Sequence, residues 1–406
     1  MRLLHTSDWH LGQHFMGKTR QAEHEALIQW LLQQVQQHAV DAVLIAGDVF
    51  DTGAPPSYAR ELYNQLILQL HDAGSRLIVL AGNHDSVATL EESRQLAGRL
   101  GATVIPALST QPAEQVITLH DRQGKPAAVL CAVPFIRPRD VLQSQAGQSA
   151  EEKQLSLQEA IFSHYQQLYA LAEDQRHQHG QRLPVIATGH LTTVGASASE
   201  SVRDIYVGAL QAFPTTAFPP ADYIALGHIH RPQLVGGLNH IRYSGSPLTL
   251  SFDELGQKKQ MLLVDLNEEG LQQVTPLEVP VFQAMATVRG SLAALENAIP
   301  QAAQAGSAER PVWLEVTVSE DDYLSDLQTR VQSISEGHAV EVLRIRRDRS
   351  EAIARLQAES RVTLEELQPQ DVFSQRLAPL NLQPDVQTEL QSRFDTVMQA
   401  LQGAAE

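Results

Sequence analysis

The stretch DYIALGHIHRPQ, Asp222 to Gln233, runs apolar through Leu226, turns at Gly227 and then presents His228 and His230 one residue apart. Taken alone, two histidines after an apolar run read as solvated loop side chains. The reading changes when the other apolar runs are set beside it. RLLHTSDWH (2–10) leads to Asp8 and His10, DAVLIAGD (41–48) to Asp48, RLIVLAGNH (76–84) to Asn83 and His84, and LPVIATGH (183–190) to His190. Four of the five runs place a glycine immediately before the polar residue (Gly47, Gly82, Gly189, Gly227), and the first has Ser7 there.

Strands that read as unbroken apolar runs are buried on both faces, and such strands separated by helical segments predict a layered α/β domain. One such segment is RQAEHEALIQWLLQQVQQHA (20–39), where Ala26, Leu27, Trp30, Leu31 and Val35 recur at helical spacing. Carboxyl ends of strands are where such sheets hold ligands. A glycine there lets the backbone turn sharply and approach another group closely. Five strand ends delivering Asp8, His10, Asp48, Asn83, His190, His228 and His230 to one rim predict a multidentate metal site.

The donor types narrow the metal. The chain has one cysteine, Cys131 in AAVLCAV, which reads as a buried structural thiol and excludes a thiolate zinc site. Mixed imidazole, carboxylate and amide donors suit Mn²⁺, Fe²⁺ or Zn²⁺ better than all-oxygen cations. Seven donors exceed one open catalytic ion and suit two, about 3.5–4 Å apart, the arrangement that hydrolyses phosphate esters.

The length of 406 residues implies two or three domains. Residues 1–280 form the expected metal-bearing domain, which turns more β-rich and partly antiparallel after His230. Residues 281–348 read as a small α/β unit, with PQAAQAGSAER (300–310) as a surface loop. Residues 349–406 read as a helical tail in which Val386, Leu390, Phe394, Val397 and Leu401 make one apolar stripe, either packed on its own domain or docking a partner helix. No apolar run approaches the roughly 18 residues of a membrane span, and MRLLHTSDWH is too polar for a secretory signal, so the expected location is the cytoplasm. The net charge of −17 neither supports nor excludes nucleic acid, because binding depends on local potential.

The motifs Asp8-Trp9-His10, Gly47-Asp48-Val49-Phe50-Asp51, Gly82-Asn83-His84-Asp85, Gly189-His190 and Gly227-His228-Ile229-His230, in that order, resemble the calcineurin-like metallophosphoesterases. HTSDWHLG, AGDVFDTG, RYSGSPLTLSF, the small domain and the tail are similar to that family's bacterial DNA nucleases. The resemblance implies a β-sandwich flanked by helices, a small α/β capping domain and a helical tail. It assigns Asp8, His10 and His230 to one ion and Asn83, His190 and His228 to the other, with Asp48 bridging. It makes His84 the proton donor to the leaving oxygen or a stabiliser of charge on the phosphate, and leaves Asp85 either orienting His84 or a plain loop carboxylate. Asp51 departs from the pattern of archaeal and eukaryotic members, which place a histidine there, and orienting a ligand histidine is its alternative role.

Further implications are manganese dependence, exonuclease action on duplex ends, endonuclease action on single strands and hairpins, and an SMC-like coiled-coil ATPase partner docked by the tail. A homodimer within a heterotetramer, associated with the nucleoid, completes the implied assembly. Two basic groups are candidate phosphate contacts or plain solvated faces: Arg137 with Arg139, and Arg344, Arg346 and Arg347 with Arg349. A small-molecule phosphodiesterase or phosphoprotein phosphatase shares every ligand and is the competing enzyme reading. A non-catalytic scaffold is expected to have lost ligands, and none is missing.

Overall fold

A run such as AVLIA (42–46), apolar at every position, cannot face water on either side, and the computed structural model shows both of its faces covered. The structure describes residues 1–142, 149–199, 212–319 and 326–348, together with Val202, Ile205, Phe373, 389–394 and 396–398. Two six-stranded sheets stack face to face. The first has the order Gly270–Glu278, Gln260–Asn267, Arg2–Thr6, Ala42–Ala46, Arg76–Leu80, Thr103–Ile105. Its last four strands are mutually parallel and its first three antiparallel. The second has the order Gln233–Val235, Leu238–Tyr243, Tyr223–Gly227, Val185–His190, Pro126–Cys131, Val116–His120, with the central four parallel.

Alternation along each strand divides the core into layers. Leu3, Ala42, Leu44, Ile78 and Leu80 meet Leu130, Ile186, Tyr223 and Ala225 between the sheets. Leu4, Val43, Ile45, Leu77 and Val79 turn the other way, onto helices Gln21–Gln37, Ser57–Asp72 and Val87–Arg99. On the first helix the buried stripe is His24, Leu27, Ile28, Leu31 and Val35, while Ala26 and Trp30 lie at its margin. Helix Ala150–His179 covers the outer face of the second sheet with Leu157, Ile161, Tyr165, Leu168 and Ala172. A capping box at Ser149 and Glu152 starts it, and Gly180 in the left-handed region ends it. Cys131 is buried, and burial lifts its thiol to about 12, which keeps it protonated and inert.

A separate core of Val288, Leu295, Ile299, Leu314, Val316 and Val331 builds the unit after residue 284. Its sheet, Met285–Gly290, Val312–Val318 and Val340–Arg347, is wholly parallel, with helices Leu292–Ala303 and Leu327–Ser335 as crossovers. Residues 300–303 correct the sequence expectation of a loop, which holds for 304–310. The helix runs on through Pro300 to Ala303, because Ile299 anchors its last turns in this core. Trp313 stacks on Phe15 with ring centroids 5.6 Å apart, Phe252 closes the cluster, and Lys18 pairs with Glu341. The unit therefore sits on the hairpin His14–Thr19 and the turn at Phe252–Glu254.

Among the described residues no helix is long and apolar enough to cross a membrane. Leu44 is fully buried between the sheets. Leu44→Ala is expected to lower stability by about 2–5 kcal/mol, read as a shift in the denaturant midpoint with far-UV circular dichroism unchanged in the absence of denaturant.

Candidate metal centre

Three neighbouring strands of the first sheet end at Thr6, Ala46 and Leu80, and two neighbours of the second end at His190 and Gly227. Their carboxyl ends share one end of the sandwich, so the five sequence runs converge. Two glycines let them approach. A Cβ on Gly82 would strike the Asp48 carboxylate and backbone nitrogen, and one on Gly227 would strike the Ala46 carbonyl. Asp8, His10, Asp48 and His228 all adopt positive φ (55°, 49°, 51° and 94°), a conformation costing of order 1–3 kcal/mol for a side chain of this kind. Backbone bonds hold it in place. Asp8 N–H donates to Gly47 O (3.0 Å), Trp9 and His10 N–H to Asp48 O (2.9 and 3.1 Å), and His228 N–H to Asp8 Oδ1 (2.9 Å).

Asp48 lies at the centre, buried. Its Oδ1 accepts from His84 N–H (2.9 Å), and its Oδ2 is 3.3 Å from His190 Nε2 and 3.8 Å from His10 Nε2. Burial opposes its charge, yet His190, His10 and His84 hold it well below the usual carboxylate range. Burial likewise opposes charge on His190, but Asp48, with Asp8 behind it, lifts that imidazole to about 9. His228 goes the other way, kept neutral by burial and by the charge of His190. Asn83 Oδ1 lies 3.0 Å from His190 Nε2 and 3.1 Å from His228 Nδ1.

Three of the candidate ligand histidines are anchored from behind. His10 Nδ1 meets Asp51 Oδ1 (3.1 Å), His190 Nδ1 meets Ala46 O (3.0 Å) and His230 Nδ1 meets Glu254 Oε1 (3.1 Å). Each contact fixes the tautomer and turns Nε2 inward. His84 is held the same way, through Nδ1 to the Asp51 carbonyl (2.7 Å), so Asp51 orients two histidines at once. Of the two roles open to Asp85, its contacts are those of a loop carboxylate. Its carboxylate accepts the N–H groups of Val49, Phe50 and Gly82 (3.1, 2.9 and 2.8 Å), shaping the loops and not gripping His84. Burial, then the charge of Asp48, pushes Asp85 up to about 6 against those three bonds.

Divalent ions fit this arrangement. Asp8, His10 and His230 form one group whose ligand atoms all lie within 4.8 Å of one another, and Asp48, His190 and His228 form a second. A third grouping, His10, Asp48 and His84, overlaps the first two. His10 Nε2 and His228 Nε2 are buried without a hydrogen-bond partner, a costly state that a cation relieves. Beside the centre opens a cleft of about 350 Å³ lined by His10, Asp51, His84, His230, Phe252 and Arg344.

The other candidates scatter. Arg137 donates to the Asp85 carbonyl (3.2 Å) beside the centre, whereas Arg139 is exposed next to Asp140. Arg344 reaches the cleft over the Phe252 ring, but Arg344 and Arg346 share Glu315 as counter-ion, which reduces the charge they offer a phosphate. Arg347 is exposed on the same strand, and Arg349 lies outside the described residues. Of the tail stripe, Leu390, Phe394 and Val397 are described, with Phe394 stacked on Phe373 at 4.1 Å and Val397 exposed. Val386 and Leu401 lie outside the described residues. Sequence reasoning missed Glu254 and Lys259, which look like surface charge in SFDELGQKK and are buried as a pair 2.7 Å apart.

Comparison with known proteins agrees with this geometry. Residues 1–232, which contain all seven candidate ligands, match the family described as calcineurin-like phosphoesterase. Residues 281–379 match the family described as Type 5 capsule protein repressor C-terminal domain. The chain is 51% identical, over the full length of both, to the SbcD component of the nuclease SbcCD from Escherichia coli (strain K12). It is 34% identical to the protein of that name from Rhodobacter capsulatus, over 82% of this chain and 87% of the other. For the Bacillus subtilis protein the values are 32%, 65% and 66%.

The Asp48–His190 pair has a definite pH sign. In the metal-free protein its stabilisation is complete above the ordinary carboxylate value of 3.8 and below the ordinary imidazole value of 6.5. It is lost as pH rises through about 9, where His190 deprotonates, and again in acid as Asp48 takes up a proton. A bound ion must displace the His190 proton, so metal affinity is expected to rise about tenfold per pH unit over this range. Calorimetry in buffers of different ionisation enthalpy checks this, and His190→Ala should reduce the proton release without abolishing it, because against its burial His10 is also raised by Asp51 and Asp48.

Proposed function

The chain belongs to the calcineurin-like phosphoesterases, in the family of the SbcD components of SbcCD nucleases, and from that premise we propose that it is a Mn²⁺-dependent DNA nuclease. Its activities on this reading are exonuclease action on duplex ends and endonuclease action on single strands and hairpins. It works in DNA end processing, recombination and repair with an SMC-like coiled-coil ATPase, as a homodimer within a heterotetramer. The observation that carries the reading is the pair of ligand groups meeting at Asp48, with the anchored His84 on the wall of the adjoining cleft.

Asp8, His10 and His230 would hold one ion and Asn83, His190 and His228 the other, with Asp48 between them. When bound, two ions in these ligand groups would supply charge neutralisation at the phosphate and a water of lowered pKa. The imidazole-rich donor set favours Mn²⁺ over Mg²⁺. The protein's own residues supply the rest. His84, fixed through Nδ1 by the Asp51 carbonyl, turns Nε2 towards the cleft, where its imidazolium form can protonate the leaving oxygen. The small domain narrows the approach, since Arg344 and its Phe252 platform form part of the same wall. That placement favours a polymer threaded past the cap over a small ester that would need no cap.

Degradation of linear duplex DNA should require Mn²⁺ and exceed hydrolysis of cyclic nucleotides. His84→Ala should lower kcat by about 10²–10⁴-fold while leaving Mn²⁺ binding intact. Undiminished turnover in that variant would remove the role given to His84, and a preference for cyclic nucleotides would favour the small-molecule reading. Deleting residues 360–406 should abolish association with the ATPase partner in co-purification and leave Mn²⁺ binding unchanged. Association that survives the deletion overturns the docking role of the tail.

A further inference from the structure

Glu254 is wholly buried in a turn whose sequence, SFDELGQKK, reads as solvated. A carboxylate out of water is unfavourable unless every oxygen is met, and here each one is. Oε1 accepts from His230 Nδ1 (3.1 Å) and Ser199 Oγ (2.9 Å), and Oε2 from Leu250 N–H (2.9 Å) and Lys259 Nζ (2.7 Å). Lys259 also donates to the His230 carbonyl (3.3 Å) and to Ser246 Oγ (2.9 Å), while Ser246 N–H donates to that carbonyl (3.1 Å). One network thus holds His230 by ring and backbone together. An apolar pair of the same volume would fill the space as well, so packing alone gives no reason for two buried charges behind one imidazole.

We propose that Glu254 is the positioning residue that presents His230 to its ion, with Lys259 holding the carboxylate in place. The proposal rests on the two-ion reading of the centre. By accepting the Nδ1 proton, Glu254 fixes the tautomer that leaves Nε2 as a lone pair on the side of Asp8 and His10. His10 is backed by Asp51 in the same manner. The group around Asp8 therefore has a carboxylate behind each histidine, whereas His190 rests on a neutral carbonyl and His228 on an amide. Carboxylates so placed raise imidazole basicity and metal affinity.

The test is Mn²⁺ titration of the full chain by calorimetry, with the thermal midpoint of each metal-free variant measured alongside. Glu254→Leu combined with Lys259→Met removes both charges while keeping volume. It should weaken one of two binding phases by about 10–100-fold and spare the other. Glu254→Gln, whose amide oxygen still accepts from Nδ1, should recover part of that loss and serves as the second variant if the apolar pair does not fold. In a His230→Ala background neither change should weaken Mn²⁺ further. Equal losses in both phases, the same loss without His230, or wild-type affinity in the apolar pair would each overturn the proposal. If His230→Ala itself leaves Mn²⁺ binding unchanged, the two-ion reading fails as well.

Discussion

The buried charge of Asp48 is the constraint on which the rest of this molecule turns. A carboxylate at 1% exposure, between two sheets, is tolerable only if cations or strong donors surround it. His190, His10 and the His84 amide do so. The same charge raises His190, while burial and the charge on His190 lower His228, so two neighbouring imidazoles are set in opposite states before any ion arrives. The glycines at the strand ends, the positive φ values and the cross-strand amide bonds all serve to bring five strand ends close enough to share that one group.

Reaction and substrate are set by different parts of the chain. The strand-end residues converge in a domain of the calcineurin-like phosphoesterase family, and a phosphoesterase site suits many substrates. The unit after residue 284 is tied to the hairpin at Phe15 and the turn at Phe252 by a stacked aromatic cluster. That turn also carries Glu254, which holds His230. Seating of the small domain and orientation of His230 therefore both depend on one short segment, Phe252–Glu254.

Much of the centre was legible because its chemistry is local in the chain. Asp8-Trp9-His10 and His228-Ile229-His230 need only neighbours to be recognised, and an unbroken apolar run announces a doubly buried strand. What failed to show was long-range. Asp51 was ambiguous in sequence because its partners, His10 and the His84 ring, are set by the crossing of two loops. Asp85 stayed open between orienting its chain neighbour and shaping a loop, because its donors are backbone amides brought in from 49, 50 and 82. Arg344 and Arg346 read as available charge because their counter-ion Glu315 lies across a parallel strand pair, 29 residues from Arg344.

The layered α/β class, the five strand ends and the polar residues at them were readable in the chain itself, because hydrophobic period and residue type are written one position at a time. Folding in three dimensions set which donors face which, placed Asp48 between His10 and His190, and took Glu254 and Lys259 from the surface into the core. Those outcomes depend on desolvation and on distances between segments far apart in the chain, such as His228 and Asp8, 220 residues apart, and no local pattern encodes them.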